Sequence, residues 1–66
     1  MWFKVQATDL TFKNPDNAAT LRHDSDGNSV KLNNDTLAVY TTDQEAIDAL
    51  NGLMQSLGYV ELVGTA

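Results

Sequence analysis

The residues able to do chemistry crowd into one stretch, His23-Asp24-Ser25-Asp26-Gly27-Asn28-Ser29. Asp24, Asp26 and Asn28 alternate as the first ligands of a calcium loop do, and Asp35 stands at the twelfth position. The other requirements of such a loop are unmet. Ser29 occupies the place of the glycine that makes the sharp turn, Asp35 replaces the bidentate Glu, and no helix flanks the segment. Asp, Ser, Gly and Asn are also the residues that close hairpins, and Asp26-Gly27 is a strong short-range signal for one. The stretch is therefore read as a hairpin tip that holds no metal.

His23 is the only histidine and the one side chain suited to proton transfer near neutral pH. A nucleophilic triad would need its partners to converge in space beside an oxyanion hole. Adjacent strand residues point to opposite faces, so His23 and Asp24 do not cooperate, and a half-exposed strand histidine is expected. Asp43, Glu45 and Asp48 read as cap, dipole and solvent-face residues rather than as paired acid–base carboxylates. No phosphate loop or nucleotide fingerprint is present, and a chain of 66 residues seldom encloses a substrate cleft. The expectation is a protein that is not an enzyme, with no cofactor and no small-molecule substrate.

The element best defined by its residues runs from Thr42 to Tyr59. Thr42 and Glu45 have the spacing of a capping box, and Asp43 and Glu45 place negative charge at the positive end of the helix dipole. Ala46, Ile47, Leu50, Leu53, Met54 and Leu57 recur at three- and four-residue intervals and predict one buried stripe. Gly58 stands where a left-handed stop is wanted, with Tyr59 placed to fold back onto Met54. The spacing predicts a helix over residues 43–57, about 22 Å long at 1.5 Å per residue. Gly52 lies at the margin of the stripe, where a missing side chain would admit a close backbone neighbour.

The rest reads as strands. Over residues 2–12, Phe3, Val5 and Ala7 face one way and Lys4, Gln6 and Thr8 the other, which leaves Trp2 on the polar side. The parity then changes at Leu10 and Phe12. A β-bulge near Asp9 or a break into two strands would do this, and the bulge is expected because no Gly or Pro marks a turn. Asn14-Pro15-Asp16-Asn17 is a turn, followed by strands over 19–23, 29–32, 36–41 and, after the helix, 59–63. In the strand over 36–41, Leu37 and Val39 are expected to share a face. The predicted fold is α+β: a small, mostly antiparallel sheet of four to five strands with one amphipathic helix on one face, in the order β-β-β-β-α-β. The last β-α-β unit should make the strands over 36–41 and 59–63 parallel.

Length and composition bound the function. One domain of this size buries only about 60% of its unfolded surface, and there is no cysteine to staple it. A partner subunit or protein is an obvious source of further stability. The net charge is −5, and residues 32–66 carry five acids and no base. Such a chain is not expected to bind nucleic acid, which needs Lys and Arg against phosphate. No run approaches a membrane span and no signal-peptide pattern opens the chain, so a cytoplasmic protein is expected. Trp2, Phe12, Tyr40 and Tyr59 are more aromatic surface than one helix covers on one sheet face. Trp2, Tyr40 and Tyr59, with Lys4, are the candidate contact residues.

From Val39-Tyr40-Thr41-Thr42-Asp43-Gln44-Glu45-Ala46-Ile47-Asp48-Ala49-Leu50 to Gly58-Tyr59-Val60-Glu61-Leu62-Val63, the chain resembles small tailed-phage accessory proteins. Their pattern is a β-meander, a helix opened by aromatic-x-Thr-x-Asp and a terminal strand; here the helix opens Tyr40-Thr41-Thr42-Asp43, without the second spacer. The resemblance covers about the last 28 residues and lacks the basic helix residues usual in that pattern. It implies a virion accessory or assembly component, in the host cytoplasm or the virion, with no catalytic residues to carry over. The alternative is a small acidic inhibitor that occupies a basic surface of a host protein.

Overall fold

The computed structural model describes residues 1–62. Val63, expected to end the last strand, and the tail after it lie outside the described residues. The elements are β1 (Phe3–Val5), β2 (Thr11–Asn14), β3 (Ala19–Asp24), β4 (Ser29–Leu32), β5 (Asp35–Val39), α1 (Asp43–Leu57) and β6 (Val60–Glu61). They form one six-stranded sheet in the order β5-β4-β3-β2-β1-β6, with α1 packed on one face. The α+β expectation holds, with one helix on one sheet, although the strands number six rather than four or five.

The extra strand comes from residues 2–12. They break into β1 and β2, which pair antiparallel with Phe3 opposite Lys13 and Val5 opposite Thr11. The expected bulge near Asp9 is a loop instead. It turns without Gly or Pro because side chains hold it: the Thr11 hydroxyl donates to the Asp9 carbonyl at 2.9 Å, and the Leu10 N–H donates to His23 at 2.8 Å. The bulge in this sheet lies elsewhere, between Val30 and Lys31 against β5.

The hairpins follow the turn residues. Asn14 Oδ1 accepts the Asp16 N–H across Pro15, and Ala18, Asn28 and Asn33 take the positive φ needed to reverse the chain. β5 and β6 run in the same direction, as a β-α-β unit should, yet they are not neighbours. β6 pairs parallel with β1 at the far edge, Phe3 opposite Val60 and Lys4 opposite Glu61, so α1 carries the chain across the whole sheet.

Strand register decides which side chains meet the helix. Residues directly opposite one another share a face, and Lys4, Phe12, Leu21 and Leu32 form one such row. Phe12, Leu21, Val30, Ala46, Leu50 and Met54 make the buried core. Even-numbered residues of β1 therefore face α1. Trp2 shares that side and packs against the core with Leu10, Leu32, Tyr40 and Tyr59. This corrects the sequence reading, which placed Trp2 outward and Phe3 and Val5 inward: Phe3 and Val5 lie on the open face. Three of the four basic side chains, Lys13, Arg22 and Lys31, share that open face through their pairing with Phe3, Thr11 and Thr36.

The helix has the predicted bounds. Thr42 accepts the Glu45 N–H at 3.2 Å, and its hydroxyl also meets the Glu45 carboxylate, which replaces the expected return bond to the Thr42 N–H. Its buried face is narrower than the predicted stripe. Ala46, Leu50 and Met54 are buried, Ile47 is half-buried, and Leu53 and Leu57 are 41% and 56% exposed. A single helix touches the sheet along one line, so residues flanking that line point past the sheet. Leu37 and Val39 likewise stay exposed at the β5 edge.

Two glycines in and after α1 predict opposite responses to one added methyl group. A Cβ on Gly52 would meet nothing within 4 Å, so no backbone neighbour is admitted there. Gly52→Ala is expected to stabilise by about 0.5–1 kcal/mol, the propensity difference at an exposed helix position. A Cβ on Gly58 would also have room, but its φ of +84° excludes ordinary side chains. Gly58→Ala is expected to destabilise by about 1–3 kcal/mol through backbone strain alone. Thermal melts of the two variants should shift in opposite directions, and shifts of the same sign would refute the assignment.

Candidate functional site

Two places in this fold gather groups that sequence order keeps apart. The first surrounds His23. Its alternation with Ala19 and Leu21 puts the ring on the helix side, and it is buried at 5% exposure, not half-exposed as expected. Two bonds clip it to Leu10: the His23 N–H donates to the Leu10 carbonyl at 3.0 Å, and the Leu10 N–H donates to Nδ1 at 2.8 Å. An imidazole that accepts at Nδ1 carries its proton on Nε2. Nε2 faces Asp43 Oδ1 at 3.4 Å, from the first residue of α1, and Asp9 Oδ1 at 3.9 Å, from the β1–β2 loop. The Asp43 oxygen is buried and has no well-aligned hydrogen bond. Ser25 donates to the same Asp9 oxygen at 3.4 Å.

This arrangement makes His23 a donor toward carboxylates, whereas a general base or a metal ligand needs a free lone pair at Nε2. Its hydrogen bonds tie β3 to the end of the β1–β2 loop, and Asp43 at the start of α1 faces the ring without a hydrogen bond. The core-side parity of His23 was a signal available in the alternation. Asp9 and Asp43 gave none, because only folding brings them to the ring.

Asp24 points the other way, as strand alternation requires. Lys31 reaches its Oδ2 at 3.0 Å and Arg22 at 3.6 Å, while Oδ1 accepts the Asp26 N–H at 3.0 Å. The Lys31 hydrogen bond, then the Asp26 N–H, holds its carboxyl below the ordinary carboxylate value. Both oxygens that a calcium ion would require are thus engaged within the hairpin.

The second place is the β6 edge. Met1, Trp2, Leu57, Gly58, Tyr59 and Val60 line a concavity of about 400 Å3 on the helix side. Phe3, Val5 and Leu62 enter another of about 430 Å3 on the open face, beside Lys13 and Pro15. A third, of about 350 Å3, lies between the β1–β2 loop and Glu61-Leu62. All three abut β6 or its flanking residues. Tyr59 packs against the core that includes Met54, and its ring meets that of Phe12 edge-on at 4.9 Å and 73°.

The structure thus brings two of the four candidate contact residues together, Trp2 and Tyr59. Lys4 lies near them but is engaged with Glu61 at 3.2 Å. Because β6 covers β1, Lys4 guards no sheet edge. Tyr40 follows β5 at the opposite edge, where its N–H donates to the Asn28 carbonyl at 2.8 Å. Leu57, Val60 and Leu62 are contact candidates that the sequence reading missed, having assigned Leu57 to the core.

Among the described residues no helix is long and apolar enough to cross a membrane. No family model, curated protein or solved structure matches the chain.

Proposed function

We propose that this chain is a non-catalytic protein-binding module whose contact surface is the β6 end of the sheet. The observation that carries the reading is the convergence of exposed apolar side chains, Met1, Leu57, Val60 and Leu62, around a two-residue edge strand. Unpaired sheet edges are where a further strand can add, and clustered apolar surface marks contact sites. Trp2 and Tyr59 stand beside the edge as anchors, the residue types that dominate binding energy at interfaces. The partner is a second copy or another protein. The setting is the one the sequence resemblance implies, a phage virion accessory or assembly component, acting in the host cytoplasm or in the virion.

Site-directed photo-cross-linking tests this. A benzoylphenylalanine in place of Val60 is expected to give a discrete cross-linked product, and the same group in place of exposed Gln55 on α1 is not. Trp2→Ala should weaken the Val60 product. A chain that sediments as a monomer, and cross-links equally poorly from both positions, would overturn the proposal.

The alternative, an acidic inhibitor of a basic host surface, draws on the run Asp43, Glu45 and Asp48 in a helix with no base. It predicts cross-linking from Gln55 instead, fading as salt rises. Binding through the β6 edge is apolar and tolerates salt.

A further inference from the structure

We propose that His23 is a proton-operated latch on the end of the β1–β2 loop, which holds the Leu10 N–H and releases it on acidification. The latch is the bond from the Leu10 N–H to Nδ1 at 2.8 Å; the backbone bond of 3.0 Å from the His23 N–H to the Leu10 carbonyl does not depend on the ring's protonation. A second proton on the imidazole goes to Nδ1, because Nε2 already carries one. Nδ1 then becomes a donor facing another donor, and the Leu10 N–H loses its acceptor.

The ring itself stays in place. The charged groups facing it are Asp43 from α1 and Asp9 from the loop, 3.4 and 3.9 Å from Nε2, and both attract an imidazolium. Opposite His23, β4 presents Val30 and no ionisable group. The group free to yield is the Leu10 N–H, because the Leu10 carbonyl keeps its backbone bond and Asp9 keeps facing Nε2. Gln6, Ala7, Asp9 and Leu10 form one wall of the concavity shared with Glu61 and Leu62. Freeing the Leu10 N–H therefore loosens one wall of that concavity beside β6.

Nuclear magnetic resonance on the intact chain tests the latch without any ligand. At the alkaline end, the imidazole nitrogens are expected to report a proton on Nε2 and none on Nδ1. On acidification, the protection factor of the Leu10 amide should fall about tenfold, the worth of one net hydrogen bond, in step with His23 titration. The Leu21 and Leu50 amides should hold theirs. In His23→Asn, the side-chain oxygen can sit near the place of Nδ1 and accept the Leu10 N–H at every pH. Leu10 protection should then lose its pH dependence. Should that variant not fold, the wild-type titration decides alone. A Leu10 amide whose protection ignores His23 protonation would overturn the proposal. So would a proton on Nδ1 at alkaline pH, or a ring that stays neutral until the whole chain unfolds.

Discussion

Leu50→Ala is expected to cost roughly 2–5 kcal/mol, the usual range for truncating a fully buried leucine. At about 0.05–0.15 kcal/mol per residue, that is a large share of what a domain this small has in total. Leu50 is completely buried at the middle of α1, between Ala46 and Met54, and faces the Phe12, Leu21 and Val30 side of the sheet. The fold has no disulfide and, among the described residues, one helix, so the cavity has few elements able to close over it. Loss of each kcal/mol lowers the melting temperature by about 4–8 °C in a domain of this size. Circular dichroism should show Leu50→Ala melting far below the wild type, or unfolded at room temperature. Leu53→Ala is the control. Its side chain belongs to the same sequence stripe but lies 41% exposed, so its loss should be well under half that of Leu50→Ala. Equal losses at the two positions would contradict the packing described.

Phe12→Ala should be at least as damaging, with an expected cost of about 3–5 kcal/mol. Phe12 is fully buried in β2, flanked by Lys4 of β1 and Leu21 of β3 in the same row. It also holds the terminal strand through the edge-on contact with Tyr59. Such aromatic pairs contribute about 0.5–1.5 kcal/mol beyond their buried area. A double-mutant cycle with Phe12→Leu and Tyr59→Leu, milder than truncation to Ala, should return a coupling of that size in urea melts. Additivity within about 0.3 kcal/mol would mean that the contact is absent in solution. Amide exchange at Val60 and Leu62 should quicken in either single variant, because their N–H groups bond to Trp2 and Lys4 of the strand that Tyr59 secures. The β6 surface and the core are thus coupled: damage beneath Phe12 frays the edge at which the proposed partner docks.

What the amino-acid sequence determined by itself was local. The helix over 43–57 was legible because its cap, its apolar period and its stop all lie within one short stretch. The turns at Pro15, at Asp26-Gly27 and at Asn33-Asn34 were legible for the same reason, since short polar residues and glycine set backbone angles one or two positions away. From those elements the α+β class followed, one amphipathic helix over one sheet.

Only the tertiary structure decided the rest, and in each case through strand pairing. A strand apolar on both sides, as Trp2–Val5 is, carries no internal sign of which side meets the helix. The answer came from register, Lys4 lying opposite Phe12, and a shift of one residue would have exchanged the faces. The place of β6 was equally non-local. Antiparallel neighbours are dictated by tight turns, but the 15-residue helix lets the last strand land at any parallel site, and it took the free edge of β1. That choice covered Lys4, gathered Trp2, Leu57, Tyr59 and Val60 into one concavity, and made β6 an edge of the sheet among the described residues. The burial of His23 between Asp9 and Asp43 has the same origin: three residues from a loop, a strand and a helix start become neighbours only once the sheet order is set.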